Sequence, residues 1–210
     1  MTTYYKILGA GAKSCHGGDL TWPLPRGKRP GKWVEVTGKI ELCSNGLHVV
    51  TAEHVLDWDG AEVWEVEIGG VTETDGNKVA AQRARLVRLV MDKWALRRFA
   101  VECAARVLPI FERFLPGDNR VRDCLVVCGN PGSTDETRAV ARAAASAAAR
   151  AAARAADSAA ASAADSVAAW AATWDAARAE EHAWQVGRFK QYLAGKVDLT
   201  KPVRLPPKGK

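Results

Sequence analysis

The stretch AEVWEVEIGGVTETDGNKVAAQRARLVRLVMDKWALRRFAVECAARVL (61–108) changes its periodicity once, and that change divides the chain. In its first part Trp64, Val66 and Ile68 alternate with Glu65 and Glu67, which predicts a strand with one buried face and one acidic face. Thr74-Asp75-Gly76-Asn77 carries an Asp-Gly turn signal, and after it Gln82, Ala84 and Leu86 alternate with Arg83, Arg85 and Val87. A hairpin is expected, with Glu65 and Glu67 set against Arg83 and Arg85 on the wet face. From Met91 the period is helical: Trp94, Val101 and Leu108 recur every seven residues, and Arg97, Arg98, Glu102 and Arg106 supply the polar side. Pro109 is expected to kink or break that helix, because it lacks an N–H and crowds the preceding turn.

Toward the N-terminus, Tyr4–Leu8 opens a sheet, a Gly- and Pro-rich run through Gly31 forms a long loop, and 32–36 and 47–50 return to extended structure. Thr51 is placed to cap a short helix reaching Trp58. Toward the C-terminus, LPGDNR is a turn and Val121–Cys128 a short helix. Ser133-Thr134-Asp135-Glu136 opens an alanine tract that runs to about Leu193, where Gly195 is placed as its C-cap. A helix at or near 91–114 is expected to lie along this tract. Short polar side chains predict a break in it near Asp157-Ser158 or Asp165-Ser166. The expected fold class is α+β: a small, mostly antiparallel β-sheet domain over 1–90, an Ala-rich helical domain over 91–195, and a basic disordered tail over 196–210.

With 48% hydrophobic and 26% charged residues in 210, the composition excludes a disordered chain. No apolar run approaches the roughly 20 residues of a membrane helix, and MTTYYKILGAG lacks a basic segment followed by an apolar core, so no membrane partner and a cytoplasmic location are expected. Five scattered cysteines argue against a disulfide framework. The net charge of +6 is local: 1–90 is neutral, 91–195 carries +2, and the tail KVDLTKPVRLPPKGK carries +4. That tail, with the turn-spaced Arg138, Arg142, Arg150 and Arg154, is the one sequence feature that suits nucleic acid.

Chemistry-bearing motifs are sparse. Cys43 and His48, with His54 and Cys15-His16 nearby, are zinc-type ligands without zinc-type spacing, so no metal and no cofactor are expected. GAGAK lacks the Gly-Lys-Ser/Thr ending of a phosphate loop. Should the chain be an enzyme, His16, His48 and His54 in the loop-rich first domain are the candidates, directed at a nucleotide or ADP-ribose. Partner-binding candidates are Trp174 and Trp184, the large anchors late in the alanine tract, with Arg204 and Lys208 of the tail.

Residue order adds two resemblances. The run from Tyr4 through SCHGG (14–18), TWPLP (21–25), Gly31-Lys32-Trp33, LCSNGLHVV (42–50) and VWEVEI (63–68) resembles an uncharacterised domain of actinobacteria and their bacteriophages. RRFAVECAARVLPIFERFLPGDNRVRDCL (97–125), followed by the Ala-, Arg- and Trp-rich tract, resembles the all-helical immunity proteins of bacterial toxin systems. Together they imply an actinobacterial or actinophage protein with a helical interaction domain. The expected function is non-enzymatic binding of a protein partner, taken to be a host protein of the phage. The nucleotide-directed enzyme and the nucleic-acid binder are the alternatives.

Overall fold

The computed structural model describes residues 2–161 and 167–208, and for Phe114, 151–161 and 167–177 it describes the backbone alone. The chain is α+β: among the described residues a five-stranded antiparallel sheet precedes four α-helices. Two compact units form: Met1–Leu96 with Val186–Lys196, and Arg97–Gln185 with Val197–Lys210. This division differs from the sequence-based boundaries, since the last helical turns before Gly195 group with the sheet unit.

In the sheet unit, β1 (Tyr4–Leu8), β4 (Glu62–Thr74) and β5 (Val79–Met91) lie side by side. The outer edge of β5 carries two short strands, β2 (Val34–Glu35) against Ala84 and Arg83, and β3 (Leu47–Val49) against Ala81, Ala80 and Val79. The β4–β5 turn is set by Asp75, whose Oδ1 accepts the N–H groups of Asn77 and Lys78 at 2.9 and 3.0 Å. Trp64 and Val66 are buried as their alternation requires, in a core with Leu8, Trp22, Leu47, Val49, Ala84 and Leu86. The outer-face pairing differs from expectation at one end. Glu67 does meet Arg85, at 2.6 Å, but irregularities after Val63 and Glu65 shift the register so that Glu65 meets Arg88 at 2.7 Å. Arg83 instead faces Glu35 at 3.9 Å and stacks on Trp33. The helix expected after Thr51 is corrected to a single 3-10 turn, Val55–Asp57, preceded by His54 with no side-chain cap.

In the helical unit, α1 (Lys93–Phe114) runs through Pro109 without ending there. Val101, Ala105 and Leu108 are buried on its inner face, and that packing holds the helix across the one backbone bond that proline removes. α2 (Arg120–Cys128), more than α1, is the neighbour of α3 (Asp135–Ala161), with Ala141 and Ala145 against the Cys124, Leu125 and Cys128 cluster. Thr134 caps α3, its Oγ1 accepting the Thr137 N–H at 3.1 Å. The backbone of α3 continues through Asp157-Ser158, whereas Asp165-Ser166 lie outside the described residues. α4 (Val167–Leu193) closes with Gly195 at φ +66°, where the N–H of Lys196 reaches Gln191 O and that of Gly195 reaches Tyr192 O.

The tail is also corrected. Residues 197–208, expected to be disordered, run extended along the helical unit: Val203 and Leu205 pack on the α1–α2 core, and the Val203 N–H donates to Gly129 O at 3.1 Å. Arg122 donates to Pro206 O at 2.8 Å, and Arg98 to Lys201 O. The prolines that exclude a helix leave the strand-like carbonyls free for these arginines. Deleting 197–210 should therefore lower the melting temperature by roughly 3–8 °C, because it removes Val203 and Leu205 from the core of Val101, Leu108, Cys124, Leu125 and Cys128 on which they pack. A scanning-calorimetry melt unchanged by the deletion would refute this packing role.

Candidate functional site

Two of the concavities formed by the described residues combine apolar and charged linings. The first is a cavity of about 600 Å³ in the sheet unit, walled by the edge loops and by β1 and β3. Of the three candidate histidines, His16 and His48 line it. His54 does not; its Nδ1 lies 3.0 Å from Asp57 Oδ2 at the 3-10 turn. His16 Nε2–H donates to Asp59 O at 2.5 Å, and its ring stands edge-on to Trp58 with centroids 5.1 Å apart. His48, on β3, accepts the Cys43 N–H at Nε2 (3.0 Å), so in the neutral ring Nδ1 carries the proton. Burial, followed by the charges of Lys6 and Lys78, holds the His48 imidazole below the ordinary histidine range and therefore neutral at pH 7.

Sequence reading missed the two lysines. Lys78, the last residue of the β4–β5 turn, places Nζ 2.9 Å from Cys43 Sγ and 5.9 Å from the Trp58 ring centroid. Lys6, on β1, donates to His48 O at 2.8 Å, lies 5.6 Å from the Trp22 centroid, and is pushed down by burial to about 8. Neither was legible as a site residue, because only the β3–β5 pairing brings position 78 beside positions 43 and 48. Cys43 itself adopts φ +63°, the left-handed region that few non-glycine residues occupy. His48 Nε2 is taken by the Cys43 backbone N–H, and the exposed Cys43 sulfur faces the Lys78 ammonium. Among the described residues no three of His, Cys, Asp and Glu converge on a point that could hold a metal ion.

The second concavity is a groove of about 520 Å³ between α1 and α4 of the helical unit, lined by Arg106, Val107, Ile110, Arg178, Glu181 and His182 among others. Arg106 pairs with Glu181 at 2.9 Å and covers the Trp184 ring at 4.3 Å, which holds that half-buried indole in place. Val107 and Ile110, one turn apart on α1, are 46% and 51% exposed. The side chain of Trp174 lies outside the described residues. Of the tail candidates, Arg204 is exposed, and Lys208 donates to Asn119 Oδ1 at 2.5 Å. Burial, then Glu181 and Glu102, pushes the Cys103 thiol up to about 11, which keeps it protonated.

A family model described as Imm-5 like putative immunity protein matches residues 90–197, just over half of the chain. The chain belongs to that family. Residues 3–96 match a second family model, a domain of unknown function, DUF7666. No match was found among the curated proteins or among the solved structures. The two matched segments meet within the first turn of α1, close to the change of period at Met91. Among the described residues no helix is long and apolar enough to cross a membrane.

The buried Lys6 supplies a stability test. Its ammonium titrates near 8 in the fold and at 10.5 when free, so between those values the unfolded chain holds the additional proton. Stability from this position must then rise as pH increases from 8 to 10.5 and stay flat below 8. Urea unfolding of wild type and Lys6→Met should diverge by about 2–3 kcal/mol in favour of wild type between pH 7 and 10, as an upper bound. A difference independent of pH would show that the ammonium is well solvated.

Proposed function

We propose that this protein is a non-enzymatic binding protein of the immunity type, and that its helical unit holds a partner polypeptide in the α1–α4 groove. The exposed pair Val107 and Ile110 carries the reading. Apolar side chains clustered on a helix and rimmed by Arg106, Arg178 and His182 have the make-up of an interface core with a polar rim. The half-buried Trp184 indole, held under the Arg106 guanidinium that lines the groove, adds a rigid aromatic behind it, of the residue type that dominates binding energy.

The partner favoured by the family match is a toxin polypeptide, neutralised by being bound. A host protein met by a phage-encoded copy is the narrower version of the same reading and rests on the resemblance of the first ninety residues. The nucleic-acid reading has less support. Arg138 is buried against Ser133 O and Asp135, Lys201 pairs with Asp198 at 3.1 Å, and Lys208 is bound to Asn119, so part of the expected positive charge is engaged within the protein.

The test uses the full chain and a Val107→Asp/Ile110→Asp variant as paired baits. A polypeptide that arrests bacterial growth when expressed alone, and is neutralised by co-expression of the wild type, should bind the variant roughly 100-fold more weakly. The variant's melting temperature should stay within about 2 °C of wild type, because both positions are already half exposed. Equal affinity for the two baits removes the groove from the interface. A captured partner without toxicity removes the immunity assignment.

A further inference from the structure

The cavity of the sheet unit is not absorbed by the protein-binding reading, and its lining has a definite chemical character. Its charged side chains are Lys6, Lys78 and Glu35, with the two histidines beside them. Glu35 is exposed and lies beside Arg83, and Lys78, 2.9 Å from Cys43 Sγ, is 3.9 Å from Asp75 Oδ2, so the lining presents two cations of which Lys6 is the one without a carboxylate among the described residues. Among the described residues no carboxylate pairs with Lys6; the His48 carbonyl takes one of its three N–H groups and leaves two for an anion. Taking an ammonium out of water without a counter-ion is costly, and an anionic ligand relieves that cost when bound.

The walls add an aromatic preference. Trp22, Trp58, Leu20 and Val34 line the space, and the edge-on contact of His16 with Trp58 fixes the orientation of that indole. Gly17 and Gly18, both in the left-handed region at φ +80° and +79°, form a flap on the lining with nothing within 4 Å of where a Cβ would stand. Neutral His48 contributes an Nδ1–H donor. A volume of about 600 Å³ falls within the roughly 300–1,000 Å³ typical of small-molecule sites.

From this combination we infer that the cavity binds a nucleoside phosphate, with Lys6 and Lys78 on the phosphate and the Trp58 and Trp22 walls against the base. Two ammonium groups on one lining suit a phosphate dianion better than a single carboxylate, and an indole face suits a flat heterocycle whichever base it is. The inference stands apart from the α1–α4 groove and does not depend on the identity of the protein partner.

Isothermal titration calorimetry of the full chain with AMP, CMP, GMP and UMP tests it, with inorganic phosphate and adenosine as fragments. At least one nucleotide should bind below roughly 100 µM, and each fragment at least ~10-fold more weakly, since neither engages both walls and cations. Lys78→Met should weaken nucleotide binding about 10- to 100-fold, the loss expected of one charge-assisted contact. Lys6→Met should do the same, provided its circular-dichroism melt shows a folded chain; Lys78, in the β4–β5 turn, keeps the test decisive if it does not. Val107→Asp/Ile110→Asp should bind nucleotide as wild type does. Absence of binding by all four nucleotides at 1 mM overturns the proposal, and so does undiminished affinity in Lys78→Met.

Discussion

The sheet unit depends on β5 accepting two strands along one edge. It is thirteen residues long, so once β4 covers its inner edge the outer edge has room for β2 and β3 in succession. The alanines at 80, 81 and 84 make this possible: each is fully buried, and none carries a side chain that would hold the edge loops away. The approach is close at Gly46, where an added Cβ would come within 2.8 Å of the Ala80 Cβ. A larger residue on either side would push β3 outward, and with it Cys43 and His48. The cavity exists because short strands and small residues let two irregular loops close over the same strand.

The helical unit solves a different problem. Alanine-rich α3 offers little area for burial, so its Ala141 and Ala145 rest on a core supplied mainly by α1 and α2, and the tail covers part of what they leave open. Arg122 ties these parts together. Its guanidinium makes a two-point contact with Glu112, at 2.7 and 3.0 Å, and donates to the Pro206 carbonyl. Arg122 also holds the Glu112 carboxyl below the ordinary range. Exposed ion pairs contribute little; here both side chains are largely covered, at 14% and 16% exposure, and the geometry is bidentate. The basic tail that composition marks as a free arm is used as a structural strap, and its charge is partly spent on the protein itself.

Cys103 and Cys124 of the helical unit are held protonated. Cys124 and Cys128 are buried one turn apart with sulfurs 3.8 Å from each other, and burial together with the Cys128 sulfur pushes the Cys124 thiol up to about 11. Protonated thiols are poor nucleophiles. Cys103 is in the same condition, whereas Cys43 is exposed, with its sulfur 2.9 Å from the Lys78 ammonium. What the two concavities offer is shape and charge: an apolar helix edge with a polar rim in one unit, and an aromatic-walled cationic space in the other.

Local chemistry determined much of this from the sequence alone. The alternation at Trp64 and Val66, the Asp75-Gly76 turn, the change of period at Met91, the Thr134 cap and the Gly195 terminus each follow from periodicity or from a backbone group needing a partner within a few residues. These signals are short-range, so they read correctly without the fold. The register shift that sends Glu65 to Arg88, the passage of α1 through Pro109, and the docking of Val203 and Leu205 were decided by packing against residues distant in the chain. The same holds for the cavity. His16 and His48 were visible as candidates by residue type, but Lys6 is an ordinary strand lysine and Lys78 an ordinary turn lysine until antiparallel pairing sets β1, β3 and the β4–β5 turn around one space, and His54, six residues from His48, is turned away to Asp57. Residue type and spacing fix what each segment can become; which side chains meet is fixed by the pairing of strands and the closing of loops.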